Sequence, residues 1–240
     1  MKKHFIIFVL ILSSFIYGQQ SIQVTYETIN KPKINYNGFT LSQNQKEEIE
    51  RQVLQNAKKP EKYVLYYDDG NSFFERDPNE KLSPREQKTE FFRLSNKKGY
   101  YRLRDYIVEE FYGYYPVDDV SIEYTDEKQT IENYNCKAAL YKNGDIVSKV
   151  WYTEDIPVSA GPYDYYNVPG LILKVESPNI LCYAVNISKK VDKKEVKMMD
   201  SALKVYEGDE LKRKIAEGRE KMIGSSQKKA EELMKTIQNK

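Results

Sequence analysis

The side chains able to do chemistry in this chain are its carboxylates, cysteines and tyrosines, because imidazole is nearly absent. His4 is the one histidine in 240 residues. It falls in an N-terminal segment that reads as a cleavable signal, so Ser-His-Asp, Cys-His, zinc-histidine and HExxH arrangements are all excluded. There is no CxxC, P-loop or GxGxxG motif. Carboxylates occur side by side at Asp68-Asp69, Glu109-Glu110 and Asp118-Asp119. Adjacent residues of a strand point to opposite faces, so none of these pairs forms a dyad by itself. Asp68-Asp69-Gly70-Asn71 lacks the ligand spacing of an EF-hand and reads as a hairpin turn. No catalytic residue, metal or cofactor is expected.

Two cysteines, Cys136 and Cys182, fall in predicted strands. In an exported chain the expectation is a disulfide between them, with two buried free thiols as the alternative. Such a bridge would contribute about 4 kcal/mol at most. Tyrosine is over-represented, with 21 Tyr against 1 Trp. Tyr100 to Tyr115 holds one cluster, and Tyr163, Tyr165 and Tyr166 form another. Tyrosine suits half-buried sheet positions. It also suits a rigid amphipathic contact surface, for which Tyr163, Tyr165 and Tyr166 are the candidates.

The elements that must position these residues are mostly short strands. Ser21–Thr28 alternates apolar and polar residues. Ser42–Lys59 reads as a helix, with Ser42 and Gln45 as a capping box and Pro60 as its stop. Strands follow on both sides of Asp69-Gly70, at Phe91–Leu94, Tyr100–Val108, Val120–Tyr124 and Cys136–Tyr141. A hairpin crosses Asn143-Gly144, and further strands are expected at Leu171–Glu176 and Leu181–Ser188. From Val196 the composition turns to Lys, Glu and Ala at helical spacing, with a break expected near Gly224-Ser225-Ser226. The fold class expected is mainly β (α+β). It is a curved or partly closed antiparallel sheet with one packed helix and a C-terminal helical extension.

Between two of these strands lies a proline-punctuated stretch. Trp151-Tyr152-Thr153 leads into Ile156-Pro157-Val158-Ser159-Ala160-Gly161-Pro162, then an aromatic link, then Val168-Pro169-Gly170-Leu171-Ile172-Leu173. With the upstream TIENYNCKAAL at 130–140, this resembles the signature of the GLPGLI family, exported proteins from Bacteroidota-type bacteria. The likeness covers about residues 60 to 190. It implies an exported envelope protein, and the family offers no catalytic residue to carry over. Asn167 stands where the family has its first glycine, and Asn tolerates positive φ. Pro157, Pro162 and Pro169 exclude helix and central strand over 157–170. A rigid, surface-reaching loop is expected, with Pro169-Gly170 at the centre of a type II turn that delivers the strand beginning at Leu171.

Lys2 and Lys3, the apolar run Phe5–Leu12 and small residues up to Gly18 give a signal peptide over 1–18. The remainder divides into a β-rich domain over 19–195 and a charged helical extension over 196–240. Lys plus Arg number 38 and Asp plus Glu 36, so charge offers no argument for nucleic acid. No later stretch is apolar enough to span a bilayer. The function expected is that of an exported, non-enzymatic binding module, in the periplasm rather than outside the cell. Its partner would be an envelope protein or a small ligand. A LolA-like carrier of a hydrophobic ligand is the alternative, with a carboxylate- and tyrosine-based enzyme behind it.

Overall fold

Period-two alternation carries most of the architecture. The computed structural model describes residues 21–31, 42–57, 59–81, 86–106, 109–117, 120–189, 191 and 196–238. The signal segment, Asp118-Asp119 and the 195/196 boundary lie outside them.

The first strand, β1 (Ser21–Asn30), buries every second side chain, with Ile22, Val24 and Tyr26 inside. Helix α1 (Gln43–Ala57) follows, and its capping box forms as expected. The Ser42 amide donates to Gln45 Oε1 at 2.9 Å, and the Gln45 amide donates to Ser42 Oγ at 3.3 Å. Most of α1 is exposed. Next come β2 (Glu61–Asp68), β3 (Asn71–Arg76), β4 (Glu90–Arg93), β5 (Gly99–Asp105), β6 (Glu110–Pro116), β7 (Val120–Ile131), β8 (Tyr134–Asn143), β9 (Ile146–Thr153), β10 (Leu171–Glu176) and β11 (Ile180–Ser188). A short β12 (Val205–Tyr206) precedes helix α2 (Gly208–Gln238).

Two strands were not legible as such. Strand β6 is EFYGYYP, rich in aromatics and without polar alternation, and β12 is two residues long. The tail also differs from expectation. Residues 196–206 are not helical: Val196, Met199 and Leu203 pack on one face of the sheet, and β12 pairs with β6. Helix α2 then runs unbroken through Gly224-Ser225-Ser226. One glycine costs a helix only about 1 kcal/mol, and Ser225 Oγ donates to the Met222 carbonyl at 2.8 Å. Leu211, Ile215 and Met222 seat α2 on β6 and β12.

All the strands join one open sheet, ordered β12-β6-β5-β4-β3-β2-β1-β11-β10-β9-β8-β7. The β12–β6 pairing is parallel and the others are antiparallel. The largest core joins β1, β2, β3 and β4 to β8, β9, β10 and β11, with Ile156, Val158, Ala160 and Val168 of the intervening loop among them. A second core, on the other face, is covered by Val191, Val196, Met199 and Leu203. No helix among the described residues is long and apolar enough to cross a membrane.

Candidate functional site

The loop over 157–170 is a plug rather than a surface feature. Gly161, Pro162, Tyr166, Val168 and Gly170 are buried, and only Pro157, Asn167 and Pro169 are exposed. Its side chains touch both halves of the sheet. Tyr163 packs on Phe74 of β3 and Phe91 of β4, with ring centroids 4.6 and 5.7 Å away, and its hydroxyl donates to Thr28 Oγ1 of β1 at 3.1 Å. Tyr165 packs on Tyr141 of β8 at 5.1 Å, and its hydroxyl shares a 2.9 Å hydrogen bond with Ser148 Oγ of β9. The Tyr141 hydroxyl donates to the Asp164 carbonyl at 3.1 Å. Arg93 of β4 donates to the Ser159 carbonyl and lies 4.4 Å from the Tyr166 ring centroid.

Strands β4 and β8 are seven neighbours apart in the sheet, about 34 Å if it were flat. One short loop touches both. The sheet must therefore curl around it as a bowl.

Local backbone follows from this packing. Asn167 takes φ 66°, the left-handed conformation its side chain tolerates. Tyr163 takes φ 55°, a place glycine normally fills, and burial of its ring over-determines it. Gly170 does not have positive φ, so the expected type II turn is absent. Glycine is needed there for another reason, since a Cβ would stand 2.0 Å from the Thr153 carbonyl oxygen. Leu171, Ile172 and Leu173 are all fully buried, because a bulge between Ile172 and Lys174 interrupts the alternation. Tyr26 donates its hydroxyl proton to the Ile172 carbonyl at 2.6 Å, inside the bulge. Trp151 lies among Lys149, Lys174 and Glu176, and its Nε1 donates to Glu176 Oε1 at 2.8 Å.

The expected disulfide does not form. Cys136 and Cys182 are free and buried. They lie on β8 and β11, with β9 and β10 between them, so about 14 Å separates the strands. A disulfide needs Cα atoms within about 7 Å. Burial pushes the Cys136 thiol up to about 11 and the Cys182 thiol up to about 12. The two carboxylate pairs among the described residues are dispersed as expected. Glu109 meets Lys221 at 2.7 Å and Glu110 meets Lys88 at 2.8 Å, while Asp69 sits in the β2–β3 turn at φ 46°.

The three tyrosines named as a contact surface do not form one. Tyr166 is buried, and its hydroxyl has no hydrogen-bond partner among the described residues. Burial pushes its pKa up to about 12 against the pull of Arg93. Tyr163 and Tyr165 instead border a half-open cavity of about 380 Å³. Phe91, Arg102, Tyr141, Ser148 and Asp164 line it with them, and Asn143 and Asn179 stand at its edge. Asp164 has its carboxyl held above the usual range by burial, against the opposing pull of Tyr100 and Arg102. Arg102 keeps substantial solvent contact through the cavity mouth although protein surrounds it. Those walls, and the neighbouring Arg104 charge, lower its pKa.

Sequence reasoning did not single out Arg102, Asp164, Asn143 or Ser148. The available signal was alternation, since Tyr100, Arg102 and Arg104 share one face of β5. What it could not supply was that this face looks into a bowl.

Residues 104–174, which include the β8–β9 hairpin and the whole motif loop, match the model of a family described as "Protein of unknown function (Porph_ging)". No curated protein matches the chain. Among solved structures it is similar to "Structure of PNGF-II in C2 space group", with a TM-score of 0.56 and 18% identity over 83% of this chain and 33% of that one. A second, "Structure of PNGF-II in P21 space group", gives 0.56 and 17% over 83% and 34%. The chain spans about a third of the length of these proteins, and at this identity the likeness is one of fold.

Proposed function

We propose that this chain is an exported, non-enzymatic binding module of the cell envelope, and that the cavity between the motif loop and the sheet is its ligand site. The observation that carries the reading is the cavity lining. Phe91, Tyr141, Tyr163 and Tyr165 supply flat aromatic walls, while Arg102, Asn143 and Asn179 supply polar groups. A few hundred cubic ångströms with this mixture suits a small polar molecule. Export rests on the composition of residues 1–18, and the motif supports placement in the GLPGLI group.

Two observations weigh against the alternatives. A carrier of a hydrophobic ligand would hold it inside the bowl, but Ile156, Val158, Tyr163 and Val168 already fill that space. The carboxylate-based enzyme asks for paired carboxyls, and Asp164 is the one carboxyl among the described lining residues. Transport or envelope maintenance would be served by capturing the small molecule.

The test is recovery of small molecules that co-purify with the protein from the envelope. A rim substitution, Ile146→Trp, narrows the mouth at a residue 47% exposed and so leaves the core intact. A molecule recovered with the native chain and lost with Ile146→Trp supports the reading. Equal recovery from both removes the cavity from the account.

A further inference from the structure

The charged side chains among the described lining residues are Arg102 and Asp164. Strand alternation sets Arg102 and Arg104 on the same face of β5, two residues apart. Arg104 is committed, since its Nε donates to the Tyr115 hydroxyl at 2.8 Å. Arg102 is not. Its side chain makes no hydrogen bond and no ion pair within 4.0 Å to any described residue. Its guanidinium lies 5.1 Å from the centroid of the Phe91 ring. Stacking occupies one face of the guanidinium and leaves the N–H fork at its edge free for bidentate contact. Asp164, the one carboxyl among the described lining residues, stays outside ion-pair distance. Asp164 acts on the Arg102 charge through space, and the guanidinium fork itself has no partner among the described residues.

We propose that Arg102 anchors the carboxylate of a small organic acid, whose body lies between Phe91, Tyr141, Tyr163 and Tyr165. The fork of Arg102 matches the two oxygens of a carboxylate in one plane. The aromatic walls pack against a ring or short chain, and Asn143 and Asn179 meet its hydroxyl or carbonyl groups. This deepens the reading of the cavity as a ligand site and rests on it.

The experiment is a titration of the full chain, carrying ¹³C-labelled tyrosine rings, with three probes: glucuronate, benzoate and inorganic phosphate. Glucuronate or benzoate is expected to shift Tyr141, Tyr163 and Tyr165 saturably. Arg102→Met should weaken that binding at least tenfold and Arg102→Lys only a few-fold, because lysine keeps the charge and loses the fork. Neither change removes a hydrogen bond, so both variants should unfold at the native temperature. Preference between the two carboxylates distinguishes a sugar acid from an aromatic acid. Phosphate binding tighter than either carboxylate overturns the assignment, as does carboxylate binding that survives Arg102→Met. The proposal also falls if no carboxylate saturates in the native chain. A co-purified ligand blocked by Ile146→Trp yet held equally by Arg102→Met would leave the cavity site standing and remove the anion anchor.

Discussion

Tyr163 donates its hydroxyl proton to Thr28 Oγ1 across 135 residues of sequence, at 3.1 Å. Thr28 is fully buried on β1, and the Tyr163 ring lies among Tyr63, Phe74 and Phe91. The bond ties the middle of the motif loop to the central strands of the sheet. A loop expected to be rigid but surface-reaching is thus part of the core.

Truncating that ring should therefore act on folding first. Tyr163→Ala is expected to cost about 3–5 kcal/mol, the usual range for deleting a packed aromatic ring. Tyr163→Phe should cost about 1 kcal/mol, for the lost hydrogen bond to Thr28. Urea unfolding followed by circular dichroism reads both. A triple alanine variant at Tyr163, Tyr165 and Tyr166 that keeps native stability would show the loop to be peripheral.

Gly170 should resist even alanine. Its Cβ would meet the Thr153 carbonyl oxygen at 2.0 Å and the carbonyl carbon at 2.6 Å, and backbone cannot swing aside as a side chain can. Gly170→Ala is expected to cost at least about 3 kcal/mol, the upper end for overpacking. Gly144→Ala is the control. Gly144 has φ 55° in open space, so the cost there is conformational alone, about 1–2 kcal/mol. Equal losses at the two sites would show that close approach is not what Gly170 provides.

The thiols should be silent in the native protein and countable after unfolding. Cys136 and Cys182 are buried, unpaired and raised in pKa, which suppresses the reactive thiolate. Thiol titration of the non-reduced protein should give no fast reaction at pH 8. In denaturant it should give two reactive thiols per chain. None in denaturant would mean that the cysteines pair, against the strand order.

High pH should unfold the protein more readily than its balanced charge suggests. Burial raises Tyr26, Tyr163 and Tyr166, and the two thiols, above their ordinary values. The folded chain therefore holds protons that the unfolded chain gives up. The contribution is complete below the unfolded values, about 8.5 for a thiol and 10 for tyrosine. It is lost as pH rises from there through the folded values, about 11 and 12 where thiols and Tyr166 titrate. The urea midpoint should hold steady from pH 7 to 8 and fall between about 9 and 11. Asp164 is raised as well, so its penalty grows as pH climbs above about 4. Asp164→Asn should then stabilise the protein at pH 7 and leave stability unchanged at pH 3. A midpoint that is flat to pH 11 would contradict the burial of these hydroxyls.

Local chemistry made much of the fold readable. Asp69-Gly70 and Asn143-Gly144 announce their hairpins, and Asp69, Gly70 and Gly144 do take positive φ. Ser42 and Gln45 cap their helix as written. Sheet order was not readable, because β11 returns to pair with β1 and leaves Cys182 far from Cys136. Curvature was hidden too, being set by twist summed over many strands. That is why the tyrosines of 163–166 read equally well as surface or core. Arg102 was invisible as a site residue for the same reason: its neighbours Phe91 and Asp164 come from different parts of the chain and meet only once the bowl closes around the loop.

The most direct test of the account is to see where a ligand recovered from the envelope touches the chain. Tyrosine ring resonances provide the map, since Tyr141, Tyr163 and Tyr165 border the cavity. Tyr124 lies exposed on the edge strand β7 and serves as the outside reference. Adding the ligand should move the three cavity rings in a saturable way and leave Tyr124 in place. Movement of Tyr124 with the cavity rings unchanged would place binding on the sheet edge and contradict the account.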